Sequence, residues 1–184
     1  MNSLTDKYTL INSVEVPCIA FGTWKMPEEV AANAVKCAIE SGYRHIDTAA
    51  AYQNEEYVGK GIRESGVKRD EIFLVSKLPN DDHGYQNAID SCERSLKRLK
   101  TDYLDSYLIH WPVLVENVDR LEDDLCETWR AFEKLYNDGK LRSIGTSNFL
   151  EEHIEIIKRN FSTYPMINQV QMHPQNPQEE MIAY

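Results

Sequence analysis

The sequence predicts an α/β fold of the (β/α)8 TIM-barrel type, with only about six βα units present in its 184 residues. Three observations carry that prediction. Short apolar runs alternate with helical patterns at about 30 residues per unit, the size of a βα crossover. Polar, chemically active residues stand at the end of nearly every predicted strand (Thr23, Asp47, Lys77, His110, Ser147-Asn148, His173), where barrels assemble their sites. The first strand is followed by "GTWKMP" and not by the glycine-rich phosphate loop that a doubly wound nucleotide-binding sheet would carry.

The elements follow in order. "KYTLINSVEVP" reads as a hairpin turning at Asn12-Ser13. "CIAFG" (18–22) is the first barrel strand. "PEEVAANAVKCAIESG" (27–42) opens on Pro and two acids and closes on Gly, the punctuation of a helix. Its apolar stripe is read as Val30, Ala34, Ala38 with Val35 and Ile39. "RHIDT" (44–48) is the second strand and 54–66 the second helix. "EIFLVSKL" (71–78) has the near-continuous apolar centre of a strand covered on both faces. Helix 84–100, strand 103–111 and helix 121–139 follow, the last with Leu125, Trp129, Phe132 and Tyr136 on one stripe. Strand 141–148, helix 150–160, strand 166–174 and the first turns of a helix over 177–184 complete the chain. A whole barrel runs to about 250 residues, so the expectation is a single, incomplete domain over 1–184 lacking strands seven and eight.

A formal charge of −10 argues against binding nucleic acid or an anionic membrane. No run approaches the roughly 18 apolar residues of a membrane span, and the first residues lack the pattern of a secretory signal. Cys18, Cys37, Cys92 and Cys126 are scattered, which suits reduced thiols in a cytoplasmic protein. "NFS" at 160–162 matches a glycosylation sequon but carries no weight in that compartment.

The chemistry centres on the exits of the second, third and fourth barrel strands. Neighbouring strands lie about 4.8 Å apart, so Asp47, Lys77 and His110 converge, and Tyr52 lies in the loop after Asp47. A tyrosine's reference pKa is about 10. A neighbouring Lys77 ammonium is expected to favour the phenolate and lower that value. A carboxylate at Asp47 would hold the ammonium in place. Such a phenol suits proton donation to a developing alkoxide, with His110 holding the carbonyl oxygen. No side-chain nucleophile is evident, so an external one is required, and hydride from a nicotinamide cofactor is the natural candidate. Taken singly, each residue has a plainer reading: a cap or ion pair for Asp47, a packed aromatic for Tyr52, a solvated cation for Lys77, a structural imidazole for His110. Their joint placement at successive strand ends favours catalysis.

The stretches "GYRHIDTAAAYQNEEYVG" (42–59), "FEKLYNDGKLRSIGTSNF" (132–149) and "NQVQMHP" (168–174) resemble the signatures of the aldo-keto reductases, with Thr146 standing where a larger aliphatic is more usual. The resemblance implies a barrel that reduces aldehydes or ketones with NADPH, NADH remaining open. It implies a tetrad of Asp47, Tyr52, Lys77 and His110, with Tyr52 as proton donor. It also implies that Ser147, Asn148 and Gln169 hold the nicotinamide carboxamide, that Asp47, Thr23 and Trp24 adjoin cofactor or substrate, and that Trp111 lines an apolar pocket beside His110. "AFGTWKM" and "LIHWP" resemble small bacterial reductases of diketo-sugar acids and dicarbonyls. In that family the segment gripping the adenosine 2′-phosphate, and the aromatic that stacks on the nicotinamide, follow strand seven and so lie outside these residues.

Two other classes compete. A metal-dependent hydrolase would recruit Asp47, Lys77, His110 and His173, but the first strand offers no HxH pair. A truncated barrel, or a fragment of a longer reductase, could instead act as a binding or assembly module. Its first and sixth strands would be open edges through which copies pair. Of the remaining histidines, His45 is expected on the face opposite Asp47, His83 in a loop, His153 on a helix surface, and His173 near the cofactor as backbone support. The basic run 97–100 reads as a solvated helix end, favourable against the helix dipole.

Overall fold

The computed structural model describes residues 3–4, 6–112 and 119–184. A hairpin of β1 (Lys7–Thr9) and β2 (Glu15–Pro17) precedes the barrel strands. Its turn falls where the sequence places it: Ser13 adopts φ 67°, and Asn12 Oδ1 accepts the Val14 amide. Six parallel strands follow: β3 (Phe21–Gly22), β4 (His45–Asp47), β5 (Phe73–Leu78), β6 (Ser106–Ile109), β7 (Ile144–Ser147) and β8 (Asn168–Gln169). Helices α1 (Glu28–Glu40), α2 (Glu55–Glu64), α3 (Tyr85–Leu99), α4 (Leu121–Asn137) and α5 (Glu151–Asn160) alternate with them, and α6 (Glu179–Ala183) closes the chain.

The strands are ordered β3-β4-β5-β6-β7-β8. Each lies beside its predecessor, whereas a doubly wound sheet reverses direction at its centre. The arrangement is a parallel half-barrel. Strand parity then divides the side chains. Phe73, Val75 and Leu108 face the interior and pack with Val14, Val16 and Ile167, so the hairpin plugs the amino-terminal end of the strands. Asn12 fastens that plug by donating to Arg142 O at 2.9 Å. The opposite face packs Ile46, Leu74, Tyr107 and Ile144 against the helices in the larger core.

Several sequence expectations shift in detail. The buried stripe of α1 is Ala31, Val35, Ala38 and Ile39, while Val30 is exposed. The stripe of α4 is as read, with Trp129 and Phe132 stacked at 5.9 Å. β8 covers two residues of the expected 166–174, because backbone pairing with β7 ends at Gln169. His45 is corrected: it lies two residues before Asp47, so a period of two puts both on the interior face. Its ring sits edge-on to Phe73 at 4.9 Å. No described helix is long and apolar enough to cross a membrane. The four cysteines are free thiols.

Helix α2 sits close to both neighbours because two of its positions lack a side chain. A Cβ on Gly59 would lie 2.2 Å from the Leu99 carbonyl oxygen, and one on Gly61 would lie 2.4 Å from that of Ala32. Backbone cannot yield as a flexible side chain does. Gly59→Ala should therefore lower stability by about 1–3 kcal/mol through overpacking, despite the roughly 1 kcal/mol gain in helix propensity. Chemical denaturation reads the difference, and a stabilised variant would contradict the packing argument. The same helix is also tied through buried Glu55, which accepts from Ser76 Oγ and Arg98 Nε, both at 2.6 Å.

Candidate active site

The parallel strands deliver their carboxyl ends to one side of the half-barrel. The β4–β5 register pairs Asp47 with Val75, placing Lys77 one interior position further out. Lys77 is 1% exposed. Its ammonium donates to Asp47 Oδ1 at 2.6 Å and to Thr48 O at 3.0 Å. Burial lowers the Lys77 pKa from its ordinary value, and Asp47 opposes that shift. The second carboxylate oxygen of Asp47 accepts from Gln169 Nε2 at 2.9 Å, so β8 reaches across the open end to β4.

Tyr52 follows in a single 3-10 turn, Ala50–Tyr52. Its ring lies 5.2 Å from Lys77 Nζ and meets the His110 ring edge-on at 5.7 Å. The four residues expected to act together are thus brought together. Their electrostatics correct one expectation. The Tyr52 pKa is pushed up to about 12, first by burial and then by Asp47. Burial of the phenol and the Asp47 carboxylate outweigh the lowering expected of Lys77, whose ammonium lies 5.2 Å from the ring centroid. Tyr52 is therefore a neutral phenol at physiological pH. His110 is pushed down to about 4, chiefly by burial and secondarily by Lys77. It is a neutral imidazole, able to hydrogen-bond but carrying no charge.

The His110 shift makes a measurable prediction. Between the ordinary histidine value of 6.5 and about 4, the unfolded chain holds a proton that the folded chain refuses. Stability should then be full above about pH 6.5 and fall as pH drops toward 4. His45, His83 and His153 are lowered by burial too and add in the same direction. Denaturation midpoints across that window should show a shallower slope in His110→Gln than in the parent. An unchanged slope would remove His110 from the effect.

The ends of β7 and β8 supply the amide groups expected to face a cofactor. Asn148, in a left-handed conformation at φ 61°, donates to His110 O at 2.9 Å and to Ser147 Oγ at 3.1 Å. Ser147 Oγ donates to Gln169 O at 2.9 Å. Among the described residues, Asn148 Oδ1 and Gln169 Oε1 make no hydrogen bond. These two side-chain amide oxygens stand beside the tetrad with acceptor capacity to spare, the chemistry that a carboxamide NH2 would meet. A carboxamide NH2 fits this pair of acceptors.

Other expected residues are placed differently. Thr23 is fully buried, its hydroxyl lying against Thr48 Oγ1 and Asp47 O, so it serves the loop and does not present that hydroxyl to an open cleft. Trp24 is 68% exposed and Trp111 48%, standing on the loops after β3 and β6. His173 is exposed in a turn beyond β8, where its Nδ1 accepts the Gln175 amide. His83 is half-buried in its loop. His153 sits at the start of α5, where its ring accepts the Leu150 amide. The basic end of α3 is solvated at Lys97 and Lys100, but Arg98 is corrected: it turns inward to pair with buried Glu55. Among the described residues no three His, Cys, Asp or Glu converge on a point a metal ion could share. A depression of about 640 Å³, lined partly by Arg44, Asp105 and Arg142, lies at the amino ends of the strands, away from the tetrad. That is the end barrels use for stability, not chemistry.

Sequence reading missed Thr48 and Asn54, both fully buried beneath the Tyr52 loop. In the sequence, the Asn before two acids looks like ordinary helix punctuation, so nothing local marks it.

The Aldo/keto reductase family pattern matches residues 18–184 of this chain. The chain belongs to the aldo-keto reductase family. It is 49% identical over 183 residues to the glyoxal reductase of Bacillus subtilis, covering 99% of this chain and 63% of that protein. The crystal structure of an aldo/keto reductase from Brucella melitensis superposes with a TM-score of 0.93 at 42% identity, covering 100% of this chain and 68% of that one. A Bombyx mori aldo-keto reductase in complex with NADP gives 0.90 at 37% identity, over 98% and 62%. This aldo-keto reductase chain thus spans about six tenths of the length of its relatives.

Proposed function

We propose that this aldo-keto reductase chain carries the catalytic residues for reducing aldehydes or ketones to alcohols with NADPH, small dicarbonyls being the preferred class. The observation that carries the reading is the buried Lys77–Asp47 pair set beside a half-buried, neutral phenol and a neutral imidazole. The glyoxal reductase name of one relative supports the dicarbonyl class, and the NADP complex of a structural neighbour supports the cofactor.

When bound, a reduced nicotinamide supplies the hydride that attacks the carbonyl carbon. Asn148, Gln169 and Ser147 would hold its carboxamide. Charge then develops on the carbonyl oxygen. Neutral His110 can donate a hydrogen bond to that oxygen and orient it. Tyr52 gives it a proton: an alkoxide is a stronger base than a phenolate, so a phenol at about 12 still transfers its proton downhill. The phenolate left behind lies near the Lys77 ammonium, whose ring-centroid distance is 5.2 Å. Asp47 keeps that ammonium fixed while its own second oxygen is held by Gln169. Trp24 and Trp111 offer apolar walls for a small substrate. The test is loss of reduced-nicotinamide absorbance on adding a small dicarbonyl to the purified chain. Absence of turnover with every aldehyde and ketone tried, under saturating NADPH and NADH, would overturn the reading.

A further inference from the structure

The loop that carries Tyr52 leaves β4 at Thr48 and enters α2 at Asn54. Both ends are fully buried polar side chains, and they bond each other, Thr48 Oγ1 donating to Asn54 Oδ1 at 3.2 Å. Asn54 occupies the cap position of α2, yet its side chain makes no capping hydrogen bond. Its amide nitrogen instead donates to Thr23 O at 2.9 Å and Met26 O at 3.2 Å. Those carbonyls bracket Trp24 in the neighbouring loop after β3. Proton counting fixes the remaining directions. Asn54 Oδ1 only accepts, so the one proton of Thr48 goes to it. Thr48 must then accept from Thr23 Oγ1 at 2.9 Å, which leaves Asp47 O at 3.2 Å as that hydroxyl's weaker contact. The two hydrogen bonds that the Asn54 side chain donates join loop to loop, the one it accepts closes its own loop, and none starts the helix.

Between these two posts the chain makes one 3-10 turn and a left-handed residue, Gln53, at φ 58°. The Tyr52 hydroxyl makes no hydrogen bond among the described residues, so nothing fixes the phenol at its tip. Its position is inherited from the turn, and the ends of the turn are set by Thr48 and Asn54.

We infer that Asn54 is a positioning residue for Tyr52, locking the proton-donor loop to the Trp24 loop so that donor and rim move as one body. The catalytic consequence rests on the carbonyl-reduction reading; the mechanical coupling stands without it. Proton transfer needs the phenol oxygen within about 2.6–3.2 Å of the carbonyl oxygen, and a misplacement of about 1 Å costs roughly 100-fold.

Two readouts on Asn54→Ala and Thr48→Val test this. Thr48→Val keeps the side-chain shape and removes only the hydroxyl, so it carries the test where Asn54→Ala fails to fold. In hydrogen exchange, the amides of Thr23 and Met26 should lose protection together with those of Tyr52 and Gln53, while β5 keeps its own. Loosening of one loop alone, or of neither, overturns the coupling. In turnover with a small dicarbonyl, kcat should fall roughly 10–100-fold with KM unchanged. Fluorescence titration should still count the parent number of NADPH sites per chain, and Thr48→Ser should recover most of the parent rate. A merely structural role would lower the number of sites and kcat in proportion, and that result overturns the positioning role. A parent chain that reduces no carbonyl overturns the proposed function instead, and the exchange readout then decides the coupling alone.

Discussion

Tyr52→Phe should reduce carbonyl turnover by about 10²–10⁴-fold, the range for loss of a positioned general acid. The fold should be untouched, because phenylalanine keeps the ring that meets His110 at 5.7 Å and Lys77 at 5.2 Å. The hydroxyl has no partner among the described residues, so removing it strands no donor or acceptor, and the melting temperature should hold or rise slightly. KM for the carbonyl should change little, since the loss is in the transition state, where the oxygen takes its proton. The measurement pairs kcat with a thermal melt and a cofactor titration. Parent-like turnover with an unchanged melt would dismiss Tyr52 as the proton donor and move attention to His110.

Much of this architecture was legible in the residues, and the reasons differ from place to place. The strand-helix alternation was readable because burial on both faces favours near-continuous apolar runs such as "IFLV", while α1, α2 and α4 each close on a glycine in positive φ, Gly42, Gly66 and Gly139. The tetrad was readable because each member stands at or just beyond a strand exit, and parallel neighbours leave such exits no choice but to converge. Depth was not readable. Nothing in the sequence shows that Lys77 is almost wholly buried against Asp47, and the expected fall of the Tyr52 pKa left out the burial of the phenol itself. Cross-loop contacts were equally hidden: Gln169 lies 122 positions from Asp47, and no local pattern announces that it will bond the carboxylate. Asn54 was concealed by resembling a helix cap, a role its side chain does not take. Chain-local patterns thus reported elements and exits, while the distances that set charge states came from the packing of distant segments.

Lys77→Met should be the most destabilising of the changes considered, and for a reason that a double mutant can isolate. The variant fills nearly the same volume, so packing loss is small. What remains is a carboxylate 8% exposed with its cation gone, and breaking one side of a buried ion pair costs about 3–5 kcal/mol. Thr48 O also loses its ammonium donor, but Gln169 still donates to Asp47 Oδ2, which holds the loss within that range. Adding Asp47→Asn removes the stranded charge and keeps an acceptor for Gln169. The double variant should therefore recover much of the stability lost by Lys77→Met, giving a non-additive cycle of the kind expected only for groups in contact. It should not recover turnover, because the phenolate formed at Tyr52 then has no neighbouring cation. Denaturation curves for the parent, both single variants and the double variant measure the coupling directly. Additive losses would mean that the 2.6 Å contact carries no special energy. Restored turnover in the double variant would mean that the pair serves the fold alone.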